Sequence, residues 1–194
     1  MNFFKKLFNI QEEEDTEIHK QEVKLSLDES FVHHFLKKGG KFLYCINKEE
    51  VIENFKKVLL ENNWDEIYLL NENLASLFNK NEIKIVNKFN DNTPILTFCE
   101  HLIADNGDIL FSSNQLKSTR LKDYSDNFIV YATTSQLVKD TGQGLTGIKS
   151  NFAKSLPTNI SSVKNYIIDN NDDNFLNYGN SNSKNLYLLL LEDL

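Results

Sequence analysis

The sequence predicts an α/β domain of three layers around a mainly parallel sheet. Three observations predict it. Between residues 41 and 86, β-type and helical runs alternate as strand, helix, strand, helix, strand. That alternation is the sequence form of parallel strands joined by crossover helices. The run Leu186–Leu191 is apolar without alternation, which suits a strand buried on both faces. Asn106-Gly107 separates two further β-type runs and is a strong short hairpin signal.

Taken in order, residues 1–10 place Phe3, Phe4, Leu7, Phe8 and Ile10 around Lys5 and Lys6. This is a short amphipathic segment, suited to packing on its own domain or docking on a partner or an anionic surface. The acid run Glu12–Asp15 follows and reads as a solvated arm. Residues 1–25 are therefore expected to be an arm, and residues 26–194 the domain. Ser26 and Glu29 have capping-box spacing, and Gly39 fits the position just past a helix end. A helix is expected between them, with Phe31, Phe35 and Leu36 on its apolar face. His33 and His34 are neighbours in sequence, so they diverge by about 100° on that helix and make a poor metal pair. Residues 41–46 read as a strand, 47–63 as a helix carrying Val51, Ile52, Phe55, Val58 and Leu59, and 66–70 as a strand. A short helix capped by Asn71 is expected next, then a strand over 82–86. Residues 127–133 read as a buried strand. Residues 135–140 are helix-like, and Gly142, Gly144 and Gly147 suggest a loop after them. Residues 156–167 suggest an extended segment and 169–185 a polar loop around Gly179.

Composition narrows the function. The 194 residues carry a formal net charge of −7, with 28 acidic and 21 basic side chains. Arg120 is the sole Arg. A protein that tracks phosphates along a nucleic acid carries a basic excess, so no nucleic acid is expected as a partner. No apolar run reaches the 18 to 20 residues of a membrane helix, and no secretory signal is read at the start, so a cytoplasmic location is expected. Cys45 and Cys99 are isolated, so neither a disulfide framework nor a metal site is expected. No phosphate-loop, dinucleotide, zinc-protease or nucleophile-elbow motif is present. No cofactor is therefore assigned by a recognisable motif, and no catalytic residue.

Three groups of residues could still hold a ligand. Around the hairpin, Glu100, Asp105, Asn106 and Gly107 gather near a turn. Cys99 and His101 are two apart there, so on one strand they would share a face and could touch. After the following strand, Ser112, Ser113, Asn114 and Gln115 precede Lys117 and Arg120. Small hydroxyls and amides beside a cation can bind a carboxylate or phosphate. Before the last strand, Gly179, Asn180, Ser181, Asn182, Ser183 and Lys184 could turn backbone donors toward an anion.

Residues 103–111, then Leu116, Arg120 and Leu121, then residues 127–140, resemble the LUD-domain family of the lactate utilization protein B/C type. The family turn of alanine, acid, threonine and glycine reads here as Ala104, Asp105, Asn106 and Gly107. Gly179 and Leu186 keep the spacing of the family's terminal loop and strand, although Asn180–Ser183 replace its usual residues. Residues 156–175 occupy the place of its glycine–proline–serine–arginine motif. The resemblance spans roughly residues 30–194. It implies a three-layer fold similar to the sugar-phosphate isomerase and coenzyme A transferase group. It implies an accessory role in the oxidation of L-lactate to pyruvate, beside iron–sulfur and oxidoreductase subunits. With two isolated Cys, the chain resembles the short C-type member, which carries no cluster. On this reading a small anionic ligand is held between the 100–120 hairpin and the 178–184 loop. Two alternatives are a stand-alone enzyme on a coenzyme A or sugar-phosphate ligand, with Glu100 or Asp105 as acid/base, and an interaction module without a ligand.

Overall fold

The structure, a computed structural model, describes residues 25–78, 83–168 and 182–193. The arm expected over residues 1–25, apart from Leu25, and the polar loop including Gly179, Asn180 and Ser181 lie outside the described residues.

Helix α1 spans Leu27–Lys37. The Glu29 carboxylate accepts from the Ser26 backbone N–H at 2.8 Å, and Gly39 ends the helix with φ +86°. Strand β1 is Lys41–Cys45, helix α2 is Lys48–Glu61 and strand β2 is Glu66–Leu69. Asn47 caps α2 by accepting from Glu50 N–H at 2.8 Å. A 3₁₀ turn over Glu72–Ser76 leads to β3, Lys84–Val86. Then come β4 (Ile95–Phe98), β5 (His101–Ile103), β6 (Asp108–Ser112) and the single-turn α3 (Ser113–Leu116). Strand β7 is Asn127–Thr133, and a 3₁₀ turn over Thr134–Gln136 joins it to the two-residue β8, Leu137–Val138. Helix α4 is Thr141–Asn151, β9 is Ile160–Val163 and β10 is Asn185–Leu191.

Six strands form one sheet in the order β1-β10-β7-β4-β2-β3, and every pair in it is parallel. The period-2 alternation of its central strands divides their side chains between two cores. Leu186, Leu188 and Leu190 of β10, with Phe128 and Val130 of β7, face the core built by Phe31 and Phe35 of α1. Tyr187, Leu189 and Leu191, with Ile129 and Tyr131, face the core built by Val51, Phe55 and Val58 of α2. Both faces are therefore covered, which is why β10 reads as an unbroken apolar run. The α1 layer also contains a second sheet, in the order β8-β5-β6-β9. Its inner face contributes Leu102, Ile109, Phe111 and Val163 to the α1-side core. Its outer face, with Ile103, Leu110 and Val138, receives Ile148 of α4. The three-layer α/β expectation holds, and the third layer is a helix plus a small sheet.

Four local expectations are corrected. The apolar run from Ile95 to Ala104 is two strands in different sheets, with a corner at Cys99-Glu100. The hairpin turn is four residues long, since Ile103 pairs with Asp108. Gly107, at φ +71°, occupies its last position. The residues expected to form a helix, 135–140, supply a 3₁₀ turn and β8, and the glycines expected in a loop lie in α4. Asp140 caps that helix, accepting from Gln143 N–H at 2.8 Å. Its glycines let it approach the small sheet: a Cβ on Gly147 would lie 2.8 Å from His101 Nε2, and one on Gly144 3.2 Å from Ile103 Cδ1. Asn71 makes no side-chain cap. Its Oδ1 instead accepts from Thr97 Oγ1 at 2.9 Å and from Phe98 N–H at 3.3 Å, tying the end of β2 to the end of β4.

Candidate functional site

Parallel sheets bind ligands outside the carboxyl ends of their strands, where neighbouring strands send their connections to opposite faces. Strand β4 meets this condition. The chain leaving β2 turns toward the α2-side core through Leu74. The chain leaving β4 turns the other way, into β5, where Leu102 joins the α1-side core. Glu100 stands at that divergence.

The Glu100 carboxylate is tightly held. Its Oε1 accepts from Ser112 Oγ at 2.5 Å, Gln115 Nε2 at 3.0 Å and Asn114 Nδ2 at 3.3 Å. Oε2 has no hydrogen-bond partner among the described residues. Ser112 is fully buried and Gln115 nearly so, while Glu100 is half-buried. The backbone of the corner is fixed as well. Glu100 N–H donates to Leu110 C=O at 2.8 Å. Gln136 Nε2 donates to Cys99 C=O at 2.6 Å and Glu100 C=O at 3.3 Å. Two capping boxes carry these amides. In one, Gln115 Oε1 accepts from Ser112 N–H at 2.8 Å, and in the other Gln136 Oε1 accepts from Thr133 N–H at 2.8 Å. Each glutamine thus spends its oxygen on its own turn and its nitrogen on Glu100.

A second polar group lies beside this corner, past the ends of β7 and β10. Asp193 Oδ1 accepts from Thr134 Oγ1 and from Ser135 N–H, each at 2.8 Å, and Oδ2 accepts from Ser135 Oγ at 2.7 Å. Burial opposes ionisation of Asp193, but the hydrogen bonds of Ser135, Thr134 and Thr133 outweigh it and hold its carboxyl down to about 2.

The expected site residues fall into four places. Glu100, Ser112 and Asn114 come together as described. Ser113, next to them, accepts from Thr158 N–H at 3.0 Å through its Oγ. Asp105, Asn106 and Gly107 form the hairpin loop, which packs against α1, and Ala104 C=O accepts from Ser30 Oγ at 3.1 Å. Asn106 Oδ1 accepts from Asp108 N–H at 2.9 Å, so its amide serves the turn. Arg120 is exposed and grips Asp123, through Nε to Oδ2 at 2.7 Å and Nη2 to Oδ1 at 3.2 Å. Asn182, Ser183 and Lys184 lie at the amino end of β10. There Lys184, fully buried, donates from Nζ to Tyr124 C=O at 2.9 Å and lies 3.3 Å from Asp126 Oδ1. Burial pushes the Lys184 ammonium below its ordinary pKa, against the pull of Asp126. Asn182 Nδ2 donates to Ser162 C=O at 3.3 Å.

Cys99 and His101 do not pair. The Cys99 thiol belongs to the α1-side core, where burial pushes its pKa far up. His101 sits beside Gln136 C=O at 3.3 Å through Nδ1. Cys45 is buried in the α2-side core. Among the described residues, no three His, Cys, Asp or Glu side chains gather as a metal site, and no helix is long and apolar enough to cross a membrane.

Sequence reasoning named Gln115 but missed Gln136, Thr134, Ser135 and Asp193. The spacing Ser112-x-x-Gln115 and Thr133-x-x-Gln136 is the signal that marks the two glutamines, since a hydroxyl followed three residues later by Gln is a capping box. No short-range signal links Asp193 to Ser135.

Fold and site together define a three-layer α/β domain with a polar corner at the carboxyl edge of its parallel sheet. A solved DUF162 family protein from Deinococcus radiodurans has a similar fold, with a TM-score of 0.60 and 14% sequence identity over 88% of this chain and all of that one. No protein-family model and no curated protein matches the chain.

Proposed function

We propose that this chain is a LUD-domain protein that serves as an accessory, cluster-free partner in the oxidation of L-lactate to pyruvate. In this reading it holds a small ligand at the carboxyl edge of its parallel sheet, against Glu100. The fold supports the family reading, because DUF162 is the LUD-domain family and the similar structure belongs to it. The turn Ala104–Gly107 and the run over residues 127–140 support it from the sequence. The observation that carries the site is the Glu100 carboxylate, with one oxygen held by three donors and the other without a hydrogen-bond partner among the described residues, at the divergence of β2 and β4. A fixed carboxylate accepts a hydrogen bond from a hydroxyl, as a 2-hydroxy acid such as lactate offers, without reorganising at the moment of binding. Asn182–Lys184 lie at the amino end of β10, the opposite edge of the sheet from Glu100, so together with Arg120 they stand in this reading as a separate anion contact, whose amide, hydroxyl and cationic groups suit a carboxylate or phosphate.

The same observation supports a second reading, a stand-alone enzyme on a coenzyme A or sugar-phosphate ligand with Glu100 as acid/base. A thermal-shift panel of L-lactate, pyruvate, coenzyme A, nucleotides and sugar phosphates tests both. A compound present at 100 times its dissociation constant should stabilise the chain by about 2.7 kcal/mol. Glu100→Gln, which keeps an acceptor for Ser112, Asn114 and Gln115, should abolish that shift. Turnover of the stabilising compound by the isolated chain would favour the enzyme. Stabilisation by lactate or pyruvate without turnover would favour the accessory role. A panel without any hit would sink the ligand site.

A further inference from the structure

The geometry points to Asp193 as the positioning residue of the Glu100 site, acting from β10 through the Thr133–Gln136 turn. This inference rests on the reading that Glu100 is the ligand-facing group. Asp193 follows the central strand β10, and its two carboxylate oxygens hold the Ser135 N–H, the Ser135 hydroxyl and the Thr134 hydroxyl. The grip is reciprocal, since Asp193 N–H donates to Thr134 Oγ1 at 3.1 Å. Thr133 Oγ1 and Ser135 Oγ are 2.9 Å apart, which closes the turn on itself.

That turn carries Gln136. Its Oε1 is tied to Thr133 N–H, so its Nε2 is aimed at the Cys99 and Glu100 carbonyls. The corner that presents Glu100 is thus held from two sides. Ser112, Asn114 and Gln115 fix the carboxylate, and Gln136 fixes the backbone beneath it. Ser112 ends β6 of the small sheet, and Asn114 and Gln115 lie in α3 directly after it. Gln136 reports the position of the large sheet, because its turn is latched to β10 by Asp193. Without the latch, the turn keeps its capping box but loses the three donated bonds that seat it on the end of β10. A carboxylate in a binding site needs its backbone and side chain fixed together, and Asp193 supplies the fixed point for the backbone.

The test reads the full chain without ligand, so its outcome is independent of whether any compound in the panel binds. Isotope labelling gives the Gln136 side-chain N–H signals and the Glu100 carboxyl carbon signal, the latter assigned by its loss in Glu100→Gln. Asp193→Ala should shift the Glu100 signal and abolish the slow solvent exchange of the Gln136 Nε2 protons. Asp193→Asn, which keeps one acceptor oxygen, should give a smaller change in the same direction. Ser135→Ala removes one donor from the latch and should move the same signals if Asp193→Ala does not fold. Tyr166→Phe is the control: its hydroxyl donates to Gly107 C=O at 2.7 Å, in the hairpin loop, and its loss should leave both signals in place. Unmoved Gln136 and Glu100 signals in folded Asp193 and Ser135 variants would overturn the inference. An equal shift in Tyr166→Phe would also overturn it, by showing general loosening.

Discussion

At the scale of single residues, charge is decided by what each carboxylate or ammonium touches. Asp193 is solvent-exposed, yet donors from three consecutive residues hold its carboxyl down to about 2, from an ordinary value of 3.8. The folded chain therefore binds fewer protons at this position than the unfolded chain does, and the latch contributes stability only while Asp193 is ionised. That contribution is present above about pH 4 and is lost as pH falls toward about 2. Asp193→Asn should melt below the parent at pH 6, and the gap should close as pH drops through this window. Denaturant melts at several pH values check it. A gap that widens toward acid would reverse the sign and remove Asp193 as a stabilising anion. Lys184 shows the opposite case: burial lowers its pKa, and the Tyr124 carbonyl and Asp126 are what keep an ammonium tolerable there.

At the scale of elements, the fold is set by how closely neighbours approach. The hairpin loop is pressed on α1. A Cβ on Gly107 would overlap the backbone of His34 and Phe35, and its φ of +71° disfavours any other residue. Gly107→Ala should destabilise by about 1–3 kcal/mol from the backbone conformation alone, with the overlap adding to it. A melt unchanged within error would show that α1 can retreat from the loop. Much of this architecture was legible in the sequence, because helix and strand periods differ and the caps of α1 and α2 are written locally. The runs of β1, α2, β2, β7 and β10 announce themselves by periodicity. The second sheet was legible in part: the β5–β6 hairpin and the extended segment that holds β9 were expected, but the two-residue β8 is too short for a period to register, and nothing local showed that these strands form a sheet of their own. The glycines of α4 misled for a physical reason. Low helix propensity is outweighed there by close packing against His101 and Ile103 and by the Asp140 cap. The site was half legible. Glu100, Ser112 and Asn114 were named and do converge, but the latch from Asp193 spans 58 residues and no local pattern encodes it.

At the scale of the whole molecule, the buried core residues among those described run from Phe31 to Leu191, and Leu25, just before α1, is exposed. We expect a chain beginning at Ser26 to melt within a few degrees of the full sequence, measured by calorimetry. Insolubility or a collapsed melt would show that Phe3, Phe4, Leu7 and Phe8 belong to the core. The sheet order also carries a consequence for how the chain is made. Strand β10 lies between β1 and β7, and the β1–β10 ladder joins residues as far as 146 apart in sequence. A ribosome synthesising this chain releases β1, β7 and the other described members of both cores before the strand that joins them. Until β10 emerges, β1 and β7 each present an unpaired edge, and Phe128, Ile129 and Val130 have no neighbour on that side. Such an intermediate is aggregation-prone, so the large sheet must close after translation has passed Leu191, with the nascent domain shielded until then.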